Sequence, residues 1–229
     1  QNQHIRALPD NQRQSQARAL AAGKAFAWRI HALAAEAEAA QKCAQGGFTD
    51  FFVGNPRQLQ HRAGIAVQGI HLDYIRYPNA NYCFCPTCRR EFERETGVKV
   101  GSWPAEVRGK GKHVAAYRKW RAGKITSFVR LVREQVRALN ASVKVSAAVW
   151  GAYPATVDSI GQDWGAWLKN NYVDFVCPMN YSTDNARFAD LTRSQVALPG
   201  AKGRVFPGLG VTAAESQLGG DQVIEQILI

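Results

Sequence analysis

The sequence predicts an α/β fold of the (β/α)8 TIM-type barrel class, incomplete within the chain and clearest in its C-terminal half. Three observations carry that prediction. From residue 67 onward, short and nearly continuous apolar runs alternate with helical patterns, as in parallel sheets built from crossover units. Polar and aromatic residues gather directly after the apolar runs, where barrels build their sites. The 229 residues are 46% hydrophobic and 21% charged, which supports a real core and argues against wholesale disorder. A doubly wound sheet gives the same strand–helix order and is the alternative fold.

Two parts are expected. Residues 1–66 are rich in Ala, Gln and Arg and form a mostly helical segment with little interpretable pattern. It has one Ala-heavy helix over Ala17 to Gln41 and a short strand over Phe48 to Val53, ahead of the turn signal Gly54-Asn55-Pro56. Residues 67–229 form the partial barrel domain. Val67 to Leu72 reads as a strand, and Thr87 to Thr96 as a short helix closed by Gly97. The longest helix spans Ala115 to Leu139, where Tyr117, Trp120, Ile125, Phe128, Val132, Val136 and Leu139 make one apolar stripe. Val143 to Trp150 is the second strand, followed by a helix over Gln162 to Lys169 and a third strand over Val173 to Pro178. Arg204 to Val211 reads as a fourth strand and Ala213 to Ile229 as a helix that stops without a cap, so the end reads as truncated. The start, Gln1-Asn2-Gln3, fits a removed leader or a fragment boundary equally well.

The net charge is +11, which invites a nucleic-acid reading. That reading needs basic residues gathered on one face. Here they are interleaved with Glu, as in Arg89-Arg90-Glu91-Phe92-Glu93-Arg94-Glu95. The same charge suits acidic polymers such as cell-wall glycans. No apolar run approaches the roughly 20 residues of a transmembrane helix.

In a parallel barrel the chemistry sits at strand C-terminal ends. Alternation puts Gly69, His71 and Asp73 on one side of the first strand, opposite Ile70 and Leu72. Asp73 is therefore the leading catalytic candidate, and His71 reads as an interior residue bonded to a neighbour. Hydrolysis of glycosides commonly uses two carboxylates flanking the scissile bond. Asp184, after Tyr181, is the nearest second candidate by topology. Asp158 and Asp163 are others, although Asp163 before Trp164 suits a helix N-cap. Tyr74, Tyr77, Trp150, Tyr153 and Tyr181 are candidates for an aromatic floor under sugar rings. Arg76 and Asn180 complete the expected subsite, with Arg76 binding an anionic group or orienting Asp73. The structural alternative is that Asp73 only pairs with Arg76 or caps the following loop.

Cys83-Phe-Cys85-Pro-Thr-Cys88 has a spacing that lets three thiolates converge on one ion. A structural zinc and plain thiols, free or disulfide-bonded, are both open readings. A fourth ligand would come from Cys43 or His113, neither implied by spacing. Cys177 lies in an apolar strand and reads as core. Catalysis itself calls for no cofactor.

The stretch Gly69-Ile-His-Leu-Asp-Tyr-Ile-Arg-Tyr-Pro78 resembles the signature strand of the glycosyl-hydrolase-like family 10, bacterial proteins with TIM-barrel catalytic domains. Gln162-Asp-Trp-Gly-Ala-Trp-Leu168, Val173-Asp-Phe-Val-Cys-Pro-Met-Asn-Tyr-Ser182 and Arg204-Val-Phe-Pro-Gly-Leu-Gly210 resemble the same family, so the likeness covers about residues 67–229. It implies a glycoside hydrolase acting on a polysaccharide, with peptidoglycan glycan strands among the candidates, in an extracytoplasmic or secreted bacterial protein. Asp73 matches the family's acidic strand-end position. The cysteine loop is similar to the zinc-bearing loop of family 42 β-galactosidases, where the metal is structural. Two other classes stay in view: a non-catalytic carbohydrate-binding barrel, since no obvious partner carboxylate is visible, and a basic zinc-stabilised nucleic-acid binder.

Overall fold

The computed structural model describes residues 68–229. The helix expected over Ala17 to Gln41, the strand over Phe48 to Val53, and Cys43 lie outside the described residues.

The first described strand, β1 (Gly69–Leu72), is short. A loop carrying the cysteines leads into helix α1 (Pro86–Thr96), which starts with Pro in its first turn and ends at Gly97 with φ 72°. Only glycine enters that left-handed region freely, which is why the helix stops there. Helix α2 (Val114–Leu139) follows, and its 26 residues span about 39 Å. Next come β2 (Lys144–Trp150), the short helices α3 (Ala155–Ile160) and α4 (Trp164–Lys169), then β3 (Phe175–Met179). Helices α5 (Asn185–Val196) and α6 (Gly220–Ile227) complete the order.

Among the described residues the sheet has three parallel strands in the order β1-β2-β3. One face carries Ile70 and Leu72 of β1, Val145, Ala147 and Val149 of β2, and Val176 of β3. It packs on Phe128, Val129, Val132 and Val136 of α2 and on Trp164, Trp167 and Leu168 of α4. Phe128, Val132 and Val136 belong to the apolar stripe read from sequence, and that stripe decides which way the helix turns. Burying each large side chain of this set contributes about 1.5–3 kcal/mol. By the strand register, the opposite face carries His71, Ser146, Ala148, Trp150, Cys177 and Met179.

Two expectations are corrected and two helices are added. The stretch Arg204 to Val211 is not a full strand. Val205 makes a single parallel bridge to Val176, with Phe206 N–H donating to Val176 O at 3.0 Å and Gly208 N–H to Pro178 O at 2.8 Å. Pro178 of β3 has no N–H to donate to Phe206 O, so the ladder lacks one of its alternating bonds. The terminal helix begins at Gly220, not Ala213, because Ala213 and Ser216 form an antiparallel bridge first. Helices α3 and α5 were not anticipated; α3 is only 6 residues long, and α5 is largely polar.

At the N-terminal edge of the sheet, Asp174 ties three elements together. Its carboxylate accepts from Arg133 Nη1 and Nη2 of α2 at 2.5 and 2.9 Å, and from Val145 N–H of β2 at 2.7 Å. Its carbonyl accepts from Arg204 Nε at 2.8 Å. In a β/α layout this edge is the stability side, opposite the one that carries chemistry.

Candidate functional site

The C-terminal edge is built around the end of β1. Directly after the strand the backbone turns through Tyr74 at φ 53°, a region bulky residues seldom enter. Sparse backbone conformations of this kind cluster at binding and catalytic positions. The turn brings Tyr74 N–H to 2.7 Å from Asp73 Oδ1.

Arg76 is committed to aromatic faces and not to Asp73. Its guanidinium carbon lies 5.0 Å from the Tyr74 ring centroid and 4.9 Å from that of Trp150. The pairing predicted as the structural alternative for Asp73 therefore does not form. Instead Tyr74, Arg76 and Trp150 make one cation–π cluster next to Asp73 in the chain, with Tyr74 and Trp150 46% and 43% exposed. Exposed aromatic faces of this size suit the apolar faces of sugar rings, and a stacked guanidinium still offers its N–H groups at the edge. Tyr181, after β3, is also exposed.

His71 Nδ1 sits 2.8 Å from Ser146 Oγ, its register partner on β2. Burial lowers its pKa and outweighs the nearby Asp73 charge, which acts in the opposite direction. The imidazole is therefore neutral at pH 7; it is bonded to a neighbour as expected, but it is exposed on the open face of the sheet and is not an interior residue.

Three sequence-selected residues do other work. Asp184 is an exposed N-cap of α5, accepting from Arg187 N–H at 3.1 Å. Its carboxylate caps the helix start through that bond. Asn180 is 1% exposed. Its amide is paired reciprocally with Gln195, Nδ2 donating at 2.9 Å and Oδ1 accepting at 2.7 Å. It shapes the floor of the site and offers no group to a substrate. Tyr77 is half-buried under Arg121, whose guanidinium carbon lies 4.4 Å from its ring centroid. Of the aromatic candidates, Tyr153 is likewise taken up, donating to Asp163 Oδ1 at 3.0 Å. Asp163 itself caps α4 through Ala166 N–H at 3.2 Å, as read from sequence. Asp158 is exposed and lies 3.6 Å from Arg118.

Two residues that hold the site escaped the sequence reading. Gln162 is fully buried and clasps both strand ends. Its Oε1 accepts from Trp150 N–H at 2.8 Å, and its Nε2 lies 3.4 Å from both Ile75 O and Ala148 O. Trp164 Nε1 donates to Trp150 O at 3.1 Å, so the Trp150 backbone is fixed on both sides while its ring faces outward. Gln195 donates to Gly151 O at 2.9 Å as well as to Asn180. A Cβ at position 151 would lie 2.2 Å from Asn180 Oδ1, so glycine is required for this close approach.

The cysteine loop lies behind the site, against α2. The ligand atoms of Cys83, Cys85 and Cys88 all fall within 4.8 Å of one another, the single such group of His, Cys, Asp or Glu side chains among the described residues. His113, considered as a fourth ligand, turns instead toward Glu106, at 3.7 Å. Cys177 is half-buried on the face opposite the main core, not in the core as expected, because register places it beside Ala148.

The described residues thus form a small parallel β/α sheet with core helices on one face and, at its C-terminal edge, a carboxylate followed by exposed aromatic and guanidinium groups. The family model described as Glycosyl hydrolase-like 10 matches residues 64–199. That is more than half of the chain, and the protein belongs to this family. Comparison with curated proteins gives no match. Among the described residues, no helix is long and apolar enough to cross a membrane.

Proposed function

We propose that this chain is part of a (β/α)8-type glycoside hydrolase that cleaves O-glycosidic bonds of a polysaccharide, with peptidoglycan glycan strands as the leading substrate class. The observation that carries the proposal is the position of Asp73, at the C-terminal end of β1 and next in the chain to the Tyr74–Arg76–Trp150 cluster, in a chain of the glycosyl hydrolase-like family. Sequential parallel strands with the core helices on one face favour the barrel over the doubly wound sheet, which carries helices on both faces. Tyr74, Trp150 and Tyr181 would stack sugar rings, and Arg76 would meet an anionic substituent. Asp73 would serve as proton donor or nucleophile. Asp184, which also caps α5, would be its partner carboxylate, with Asp158 the other exposed candidate.

The test is release of reducing ends from purified peptidoglycan and from a panel of neutral and acidic polysaccharides. Asp73→Asn is expected to lower the rate about 100-fold or more, the scale of general acid–base catalysis. Full activity of that variant on every glycan the wild type cleaves would end the assignment. The cap role of Asp184 favours a second reading, a non-catalytic carbohydrate-binding barrel. Glycan binding with no reducing ends released by the wild type would select it.

A further inference from the structure

We propose that Cys83, Cys85 and Cys88 bind one zinc ion through their thiolates, and that this ion fixes the loop between β1 and α1. The inference stands apart from the glycosidase reading.

Geometry is the first support. Zinc–thiolate bonds of about 2.3 Å in a tetrahedron put sulfur atoms about 3.8 Å apart. The three Sγ atoms already lie within 4.8 Å of one another, so small side-chain rotations complete the convergence. They are free thiols and not bridged to one another. Local backbone then explains why they meet. Cys85 is the N-cap of α1 and Cys88 sits in its first turn, with Cys88 N–H donating to Cys85 Sγ at 3.4 Å. N–H to sulfur contacts of this kind are how a second layer of groups orients metal ligands.

The second support is charge. Three thiolates and one Zn²⁺ carry a net charge of −1, which needs a nearby cation. Arg121, on the α2 face against this loop, supplies one: it is 2% exposed. It donates to Asn79 O at 2.8 Å, within the same loop, while its Nε is buried with no hydrogen-bond partner. A buried guanidinium in that condition is costly unless an anion compensates it. The thiolate–zinc group would be that anion.

The loop is also anchored to α2. Tyr117 donates its hydroxyl to Cys83 O, and Phe84 stacks on Tyr117 with ring centroids 5.6 Å apart. Trp103 Nε1 donates to Phe84 O at 2.8 Å. The ion would thus connect the segment leaving Asp73 to the apolar cluster of Phe92, Val100, Val107 and Tyr117. No fourth His, Cys, Asp or Glu joins the group among the described residues, so the remaining position is assigned to water or to a ligand from elsewhere.

The experiment uses the whole chain, purified without chelators, and reads metal directly. One zinc per chain by elemental analysis is expected, with Co²⁺ substitution giving thiolate-to-metal charge-transfer bands. Cys83→Ser, Cys85→Ser and Cys88→Ser should each cut bound zinc at least tenfold, and Cys177→Ser should leave it unchanged. Wild-type alkylation mapped by mass spectrometry covers variants that fail to fold: zinc should protect Cys83, Cys85 and Cys88 and leave Cys177 reactive. Absence of protection, absence of the cobalt bands, or a disulfide among the three in native protein would each overturn the proposal. None of these outcomes bears on glycan cleavage.

Discussion

Replacing Asp174 by Ala removes a charge from the most constrained ion pair in the described residues. Arg133 would keep its position on α2, 7% exposed, with its Nε already lacking a partner. It would lose two charge-assisted hydrogen bonds of 2.5 and 2.9 Å, and Val145 N–H would lose its acceptor. Breaking a buried pair from one side costs about 3–5 kcal/mol. The side chains of Arg133 and Asp174 are 9% and 19% exposed, so water relieves part of the loss, and about 3 kcal/mol is the working value. For a chain of this length each kcal/mol moves Tm by about 2–4 °C, so a fall of roughly 6–12 °C is expected by far-UV circular dichroism. Asp174→Asn keeps one acceptor and should fall by less. Acid supplies an internal check. Burial raises the Asp174 pKa, but the Arg133 hydrogen bonds, the Val145 N–H and the Arg133 and Lys144 charges outweigh it and hold the group below its ordinary value. A depressed carboxylate stabilises the fold in full above its unfolded pKa of about 3.9 and loses that contribution as pH falls through the folded value. The difference between wild type and Asp174→Ala should therefore be constant from neutral pH to about 5 and shrink below about pH 4. A Tm change under about 2 °C at pH 7, or a difference that does not shrink in acid, would refute the clamp.

Three further outcomes follow from the site. Gln162→Leu orphans the Trp150 N–H and should destabilise the chain by about 1–3 kcal/mol, read by urea unfolding. An unchanged unfolding midpoint would show that the strand ends do not depend on this amide. Asn180→Ala breaks the reciprocal pair with Gln195 and should lower stability by a similar 1–3 kcal/mol. A large loss of glycan affinity with stability intact would return Asn180 to the substrate-contacting set. Trp150→Ala removes an exposed ring and its contact with Arg76, and should weaken glycan binding about tenfold, or about 1.4 kcal/mol, with Tm nearly unchanged. Equal binding by isothermal titration would remove Trp150 from the surface.

Local periodicity made much of this protein legible. The period of two in β1 places His71 and Asp73 opposite Ile70 and Leu72, and the structure puts Leu72 at 0% exposure. The stripe on α2 and the left-handed Gly97 were equally readable, because each depends on residues within a turn or two. Asp184 was readable in principle, since Ser182-Thr-Asp-Asn185 is an N-cap pattern like that of Asp163. The tasks of Gln162, Asn180 and Gln195 had no such signal. Gln162 meets Ile75 at a sequence distance of 87 residues, and Gln195 meets Gly151 at 44. A buried amide becomes a clasp only where tertiary packing withholds water and supplies a partner. Sequence alone thus determined the β/α order, the face on which Asp73 stands and the convergence-ready cysteine spacing. Tertiary structure decided that Arg76 lies on Trp150 and Tyr74 instead of on Asp73, that Asp184 belongs to a helix start, and that three thiols gather beside a buried guanidinium. Those outcomes depend on groups brought together across the sheet, where solvent exclusion and competing partners set each side chain's role.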